Sequence, residues 1–277
     1  MENKRILTIQ DISCVGKCSM TVALPILSAC GHEVSILPTA VLSTHTGISR
    51  KPAVCHMDTS LRAIRDHWQG LGIRFDMILT GYLGSIQAVE EVIALSETAL
   101  APGGELIVDP AMADHGKLYS GLDQEYAATM MCLCKKADIL LPNVTEAAML
   151  SGLPYQDVSE GYVERLLNKM PCSRVVLTGI GYDPKETGAE IRDGASRFAY
   201  RHRRFEKNYH GTGDIFAACF AGSRASGKSL YESAKIAADF TELAIEHTWN
   251  DPSNGVGVRF EPCLHRLHEM INIGPET

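Results

Sequence analysis

Apolar positions along the chain follow two alternating spacings. Arg5–Gln10 is a short run rich in Ile and Leu, and after a brief polar turn Cys18–Cys30 carries its apolar residues at helical spacing and stops at Gly31. The unit recurs. Strands are expected at Glu33–Leu37, Asp76–Thr80, Glu105–Val108, Asp138–Leu141 and Arg174–Leu177, and helices at Thr59–Gln69, Gln87–Leu100, Gln124–Lys136, Glu146–Leu150 and Val163–Met170. Strands alternating with helices in units of roughly 30 residues imply a doubly wound α/β fold, with a mostly parallel sheet covered by helices on both faces. Gly188–Arg204 breaks the pattern: short alternating runs flank Asp193-Gly194, a strong hairpin-turn signal, so an antiparallel edge hairpin is expected. Gly213–Ser226 and Leu230–Trp249 are Ala-rich and helical. No internal repeat, low-complexity tract or linker interrupts the chain, and one domain over residues 1–277 is the expectation.

Composition narrows the function. The chain has 277 residues, 45% hydrophobic, which is enough to bury a large core. A net charge of -7 without a Lys/Arg stripe argues against a nucleic-acid partner, because such binding needs clustered cations. A small-molecule substrate is therefore expected. Lys4-Arg5 is followed by only a short apolar run, unlike a signal peptide, and no stretch approaches the ~18 apolar residues of a membrane span. A cytoplasmic location is expected, with no membrane partner. The nine cysteines read as reduced, mostly buried thiols, and Cys14/Cys18 and Cys132/Cys134 lack companion pairs at zinc spacing.

In an open parallel sheet, ligands bind beyond the carboxyl ends of the strands. The polar segments just after the strands are Asp11–Lys17, Thr44–Arg50, Gly81–Ser85, Asp109–Lys117, Asn143–Glu146, Thr178–Asp183 and His210–Asp214. The last carries the strongest chemistry. His210-Gly-Thr-Gly-Asp214 opens an Ala-rich helix, where glycines and a small hydroxyl residue expose amides and the helix dipole favours an anion. Asp214, in the first turn, is placed to accept a proton. Read blandly, the segment is a loop and Asp214 a helix cap. A second candidate nucleotide motif, Gly222-Ser-Arg-Ala-Ser-Gly-Lys-Ser229, fits the P-loop pattern letter for letter. A P-loop must link a strand to a helix, whereas the residues before Gly222 continue an Ala-rich helix. Gly227 is therefore expected to end one helix and Ser229 to cap the next.

Gly-Thr-Gly-Asp at a helix start resembles the signature of the ribokinase superfamily, and Asn143-Val-Thr-Glu146 is similar to that superfamily's Asn-x-x-Glu motif. Within it, several segments resemble the pyridoxal kinase family more closely: Ile9-Gln-Asp-Ile-Ser13, Thr44-His-Thr-Gly47, Thr80-Gly-Tyr-Leu-Gly84, and Val108-Asp-Pro-Ala-Met112 with Asp114. The resemblance spans about Ile6 to Gly222. It implies a ribokinase-like kinase in which Asp214 is the catalytic base and Gly211, Thr212 and Gly213 hold phosphate. It further implies that Ser13, His45, Thr46 and Tyr82 hold a vitamin B6 compound. Asp109, Asp114, Tyr119, Asn143, Glu146 and Thr178 fall to ATP, with Asp109, Asp114 and Glu146 near a Mg²⁺ ion. A monovalent cation such as K⁺ and a homodimer also fit the family. Two departures stand out. Leu141-Pro142 stands where many relatives have Thr-Pro, which removes one nucleotide or ion contact, and Val175–Gly181 lacks the Lys-Gly-Gly-His of hydroxymethylpyrimidine kinases, which favours a pyridoxal-type substrate. The short link Asp11–Lys17 leaves no room for the β-sheet lid of sugar kinases. The alternatives are a kinase for another hydroxymethyl heterocycle, such as hydroxymethylpyrimidine, and a noncatalytic B6- or nucleotide-binding protein. The second would be expected to have lost Asp214 or the flanking glycines.

Overall fold

The structure, a computed structural model, describes residues 3–49, 51–207, 209–249 and 257–272; Arg50, at the end of one polar segment, lies outside them. The described residues form eleven strands: β1 (Arg5–Ser13), β2 (Glu33–Leu42), β3 (Val54–His56), β4 (Phe75–Thr80), β5 (Leu100–Val108), β6 (Ala113–Asp114), β7 (Lys117–Leu118), β8 (Ile139–Leu140), β9 (Arg174–Thr178), β10 (Glu186–Asp193) and β11 (Ser196–Arg203). Nine of them make one sheet in the order β11-β10-β9-β8-β5-β4-β1-β2-β3, and β6 and β7 form a separate hairpin. The six central strands run parallel, while β3, β10 and β11 lie antiparallel at the edges. The helices are α1 (Met20–Ala29), α2 (Asp58–Gly70), α3 (Ile86–Ala99), α4 (Gln124–Cys134), α5 (Val144–Ser151), α6 (Glu160–Lys169), α7 (Thr212–Ala225), α8 (Leu230–Trp249) and α9 (Leu264–Asn272).

The near-continuous apolar runs of the central strands reflect burial on both faces. In β1, Ile6 faces the core shared with α1, α7 and α8, while Leu7 and Ile9 face the core of α2 to α6. Leu106 and Val108 against Ile107 in β5, and Val175 and Leu177 against Val176 in β9, split the same way. The doubly wound expectation is met, and the six residues between β1 and α1 leave no inserted lid sheet there.

Three features depart from the sequence reading. First, β2 continues past Leu37 to Leu42, passing Pro38 through a register shift opposite Gln10–Ile12. Proline cannot donate to the ladder, so the pairing slips there and resumes. The extension sets Ser13 beside Leu42 and starts the next loop against the β1–α1 loop, with Cys14 N–H donating to Leu42 O at 2.8 Å. Second, β3 and the β6–β7 hairpin are too short to show a period. The hairpin turns through His115 and Gly116, both at positive φ (49° and 76°). Third, a short 3₁₀ turn at Glu261–Cys263 and helix α9 follow α8, and Leu267 and Ile271 bury one face of α9.

The P-loop look-alike is helical, as expected. Its first residues end α7, Gly227 terminates that helix at φ 88°, and Ser229 and Glu232 exchange reciprocal bonds of 3.2 and 2.8 Å at the start of α8. Gly222 is glycine for packing, since a Cβ there would lie 2.3 Å from the Cys30 sulfur. All nine cysteines are free thiols.

Candidate active site

β1 lies between β2 and β4, so the chain leaves it first to one side and then to the other, opening a crevice beyond its carboxyl end. Three predicted segments meet there. Ser13 ends β1, 1% exposed, and its hydroxyl donates to Asp11 Oδ2 at 3.2 Å. The loop after β2 is tied to the β1–α1 loop by His45 N–H donating to Val15 O at 2.8 Å. The His45 ring stands 5.0 Å from the His210 ring, and burial together with His210 holds its imidazole below the usual range. Thr46 beside it is exposed. From β4, Gly81 N–H donates to Ile9 O at 3.0 Å and turns the chain so that Tyr82 packs 6.3 Å from Tyr119, centroid to centroid. Burial and the nearby Asp11 carboxylate push the Tyr82 phenol up. Tyr119 comes from β6–β7 and its following turn, with its N–H bonded to Met112 O at 2.8 Å. The two rings form an aromatic wall over the crevice.

The opposite wall is the start of α7. Gly211 precedes it at φ 85°, and a Cβ on Gly211 would lie 2.2 Å from Lys17 O, so the turn closes against the β1–α1 loop only with glycine. The first-turn amides of Thr212, Gly213 and Asp214 have no partner within the helix and form the positive end of its dipole. Asp214 lies among them, partly exposed, but atoms crowd its carboxyl group. Burial raises it to about 7, with Asp11 adding to the rise and the Ser19 amide opposing it.

Acidic groups gather between these walls. Asp109 follows β5, and its carboxyl is pushed far up by burial, Glu146 and Asp214. Glu146 is 2% exposed and completes a capping box on α5, with Glu146 N–H donating to Asn143 Oδ1 at 3.0 Å and Asn143 N–H to Glu146 Oε2 at 2.8 Å. Its other oxygen accepts Met112 N–H at 3.2 Å, so one carboxylate ties α5 to the β5–β6 segment. Burial raises its pKa, and hydrogen bonds from Asn143, Met112 and Ala113 oppose the rise. Asp114 is exposed on the hairpin. The Tyr119 phenol is pushed up by burial and then by Glu146, Asp109, Asp114 and Asp214, which puts all four acids in one neighbourhood. Asn143 also donates to Ala113 O at 2.9 Å and bridges to Thr178, whose hydroxyl is turned to Pro142 O at 3.3 Å.

Hard oxygen donors with excess negative charge suit a divalent cation such as Mg²⁺. Among the described residues no three acids, thiols or imidazoles converge to hold an ion unaided, so further oxygen ligands would have to come from phosphate and water. Cys18 is buried near the crevice and its thiol is pushed up to about 12, chiefly by burial, which leaves it a packing group. Neither Asp11 nor Ser19 carries a role expected from the sequence, although both act on the Asp214 carboxyl. Asp11 lies inside β1, which runs on to Ser13 past the Gln10 end expected from the sequence, and nothing in the sequence marks Ser19.

The chain's likeness to known proteins points the same way. Residues 50–258 match the phosphomethylpyrimidine kinase family. A putative pyridoxal kinase of Schizosaccharomyces pombe is 29% identical over 259 residues, covering 88% of this chain and 81% of its own. The crystal structure of a Lactobacillus plantarum pyridoxal kinase is 33% identical, covers 97% of this chain and 98% of its own, and superimposes with a TM-score of 0.89. A putative phosphomethylpyrimidine kinase from Bacteroides thetaiotaomicron, in a crystal form with pyridoxal, is 31% identical with a TM-score of 0.89 and covers 96% of both chains. With the family match reaching across the sheet from the loop after β2 to beyond α8, and a ribokinase-like fold throughout, the chain belongs to the phosphomethylpyrimidine kinase family.

Proposed function

We propose that this protein is an ATP-dependent kinase that phosphorylates the 5′-hydroxymethyl group of a vitamin B6 compound. The observation that carries the reading is the convergence, in one crevice, of a carboxyl raised to about 7, a helix start with free amides and the Tyr82–Tyr119 aromatic wall. A planar pyridine fits against Tyr82, with Ser13, His45 and Thr46 at its edge. The ATP phosphates run from Asn143 and Thr178, past Tyr119, to the amides of Gly211, Thr212 and Gly213. Asp109, Asp114 and Glu146 would hold Mg²⁺ through water and phosphate; when bound, the ion neutralises phosphate charge. Both Glu146 oxygens already accept backbone amides, which suits a role through water.

In the reaction, Asp214 takes the hydroxymethyl proton as that oxygen attacks the γ-phosphorus in line. The bond from γ-phosphorus to the β–γ bridging oxygen breaks, and ADP leaves with the electron pair. The α7 amides face the charge that builds on the γ-oxygens. Positioning and charge stabilisation supply most of the rate, as phosphoryl transfer requires. The same reading includes a single catalytic domain, a monovalent cation such as K⁺, a homodimer and a cytoplasmic location.

Hydroxymethylpyrimidine is the second reading, favoured by the family description, and it shares every ATP-side residue. The deciding experiment is ATP consumption by purified protein with Mg²⁺ and K⁺, offering pyridoxal, pyridoxine, pyridoxamine, hydroxymethylpyrimidine and ribose in parallel. Faster turnover of a B6 vitamer supports the proposal. Turnover of the pyrimidine alone would transfer the assignment to the second reading, and no turnover of any would sink both.

A further inference from the structure

His210 immediately precedes the Gly211 turn and holds neither vitamer nor phosphate in the proposed reaction, yet it stands where the loop after β2 crosses the mouth of the crevice. Its ring lies 5.0 Å from the His45 ring, tilted by 58°. Gly47 is packed against both. Its N–H donates to His45 Nδ1 at 3.1 Å, and a Cβ on it would lie 2.7 Å from His210 Nε2, 2.8 Å from His210 Cδ2 and 2.8 Å from His45 Nδ1. Gly47 is not in the left-handed region, so glycine is required here by close approach and not by backbone conformation.

Both partners are braced against the β1–α1 loop. On the vitamer side, His45 N–H donates to Val15 O at 2.8 Å, and Gly16 packs so tightly that a Cβ there would lie 2.7 Å from the His45 Cβ. On the phosphate side, Gly211 closes on Lys17 O, which a Cβ would approach to 2.2 Å. The loop tip, Thr46-Gly47-Ile48, is exposed and is turned by Ile48 N–H donating to His45 O at 3.0 Å. The contact of Gly47 with His210 thus completes a ring of three segments around the mouth: the β1–α1 loop, the loop after β2 and the lead into α7. With the other two junctions fixed, the size of the His210 ring decides how far the edge formed by His45 and Thr46 stands from the α7 amides.

We propose that His210 is a positioning residue that acts as a spacer: its ring, seated in the gap that Gly47 leaves, sets the separation between the loop that holds the vitamer and the amides that hold the phosphate. The inference rests on the proposed function, in which those two segments have those roles. In-line transfer is sensitive to this separation, since a misplacement of about 1 Å can cost on the order of a hundredfold in rate.

His210→Ala removes the spacer. The expected result is a kcat/KM for the vitamer roughly tenfold lower, a KM for ATP within about twofold of wild type, and a melting temperature within about 2 °C, as for a side chain at the surface. His210→Phe, which keeps a ring of similar size and loses every polar atom, should hold kcat/KM within about threefold of wild type. Gly47→Ala should lower kcat/KM as well, because the added methyl meets both rings. Since the methyl and the imidazole compete for one gap, the Gly47→Ala/His210→Ala double variant should be no slower than the slower single one, whereas independent defects would multiply. An unchanged kcat/KM in His210→Ala, a loss accompanied by a large fall in melting temperature, a loss through the KM for ATP that Phe fails to repair, or single effects that multiply would each overturn the inference. Wild-type turnover, measured alongside, keeps the two claims apart: an active wild type with an unaffected His210→Ala defeats only the role of His210, and a wild type inactive on every vitamer defeats the proposed function and this inference with it.

Discussion

Asp214 stands at the first turn of α7, open toward the crevice, with a carboxyl raised to about 7 mainly by burial. A base must be unprotonated to work, so kcat/KM should fall as pH drops through about 7 and level off above it. A profile flat from about pH 5.5 to 8 would remove Asp214 from that role. Asp214→Asn should lower kcat by several orders of magnitude and leave the fold intact, because the neutral amide suits the buried position better than an ion does. Intact turnover in that variant would overturn the assignment. The residue types at this scale were legible in the sequence as motifs. The 2% exposure of Glu146 and the strained backbone of Ser19 were not, because burial and φ depend on neighbours distant in sequence.

At the scale of elements, two short pieces carry much of the site. The capping box on α5 serves the helix start and the Met112 amide with one side chain, so Glu146→Ala would orphan buried donors and cost about 2–4 kcal/mol in denaturant unfolding. Burial raises the pKa of Glu146, Asp109 and Asp214 in the fold. A carboxyl raised in this way stabilises fully below its unfolded pKa and loses that contribution as pH rises through the folded one. The ligand-free protein should therefore melt at higher temperature near pH 6 than near pH 8, and a melting temperature that rose over that interval would contradict these shifts. The helix pair α7–α8 gives a separate test. The segment from Gly222 to Ser229 is a helix end, so Lys228→Ala should leave the KM for ATP within about twofold, and a large rise would restore the P-loop reading.

Across the whole molecule, the end of the sheet away from the crevice is fastened by charge. Glu105, at the start of the parallel part of β5, accepts from Arg174 of β9 at 2.6 Å and Arg224 of α7 at 2.8 Å. Burial pushes its carboxyl up, but the two guanidiniums together pull it below the usual range. Glu105→Ala would leave both cations without this partner in a half-buried place, and should cost about 2–4 kcal/mol of stability with kcat of the folded enzyme unchanged. A change in kcat at full folding would show that this network reaches the site. Holding one end while the crevice lies at the other suits a layered fold in which the loops do the chemistry.

By itself the sequence determined the alternation of strands and helices, the parallel sheet with its antiparallel edge hairpin, and the polar segments where chemistry would sit. Each of these is a periodicity or a local motif, encoded within a few neighbouring residues. Only the tertiary structure decided that β2 runs on past Pro38, that the β6–β7 hairpin brings Tyr119 against Tyr82, and that Glu146, Asp109 and Asp214 share one buried neighbourhood. It also decided that His45 faces His210 and that Asp11 lies close enough to Asp214 to raise its carboxyl. These depend on contacts between residues tens to hundreds of positions apart, where packing and the pairing of buried polar groups override local preference.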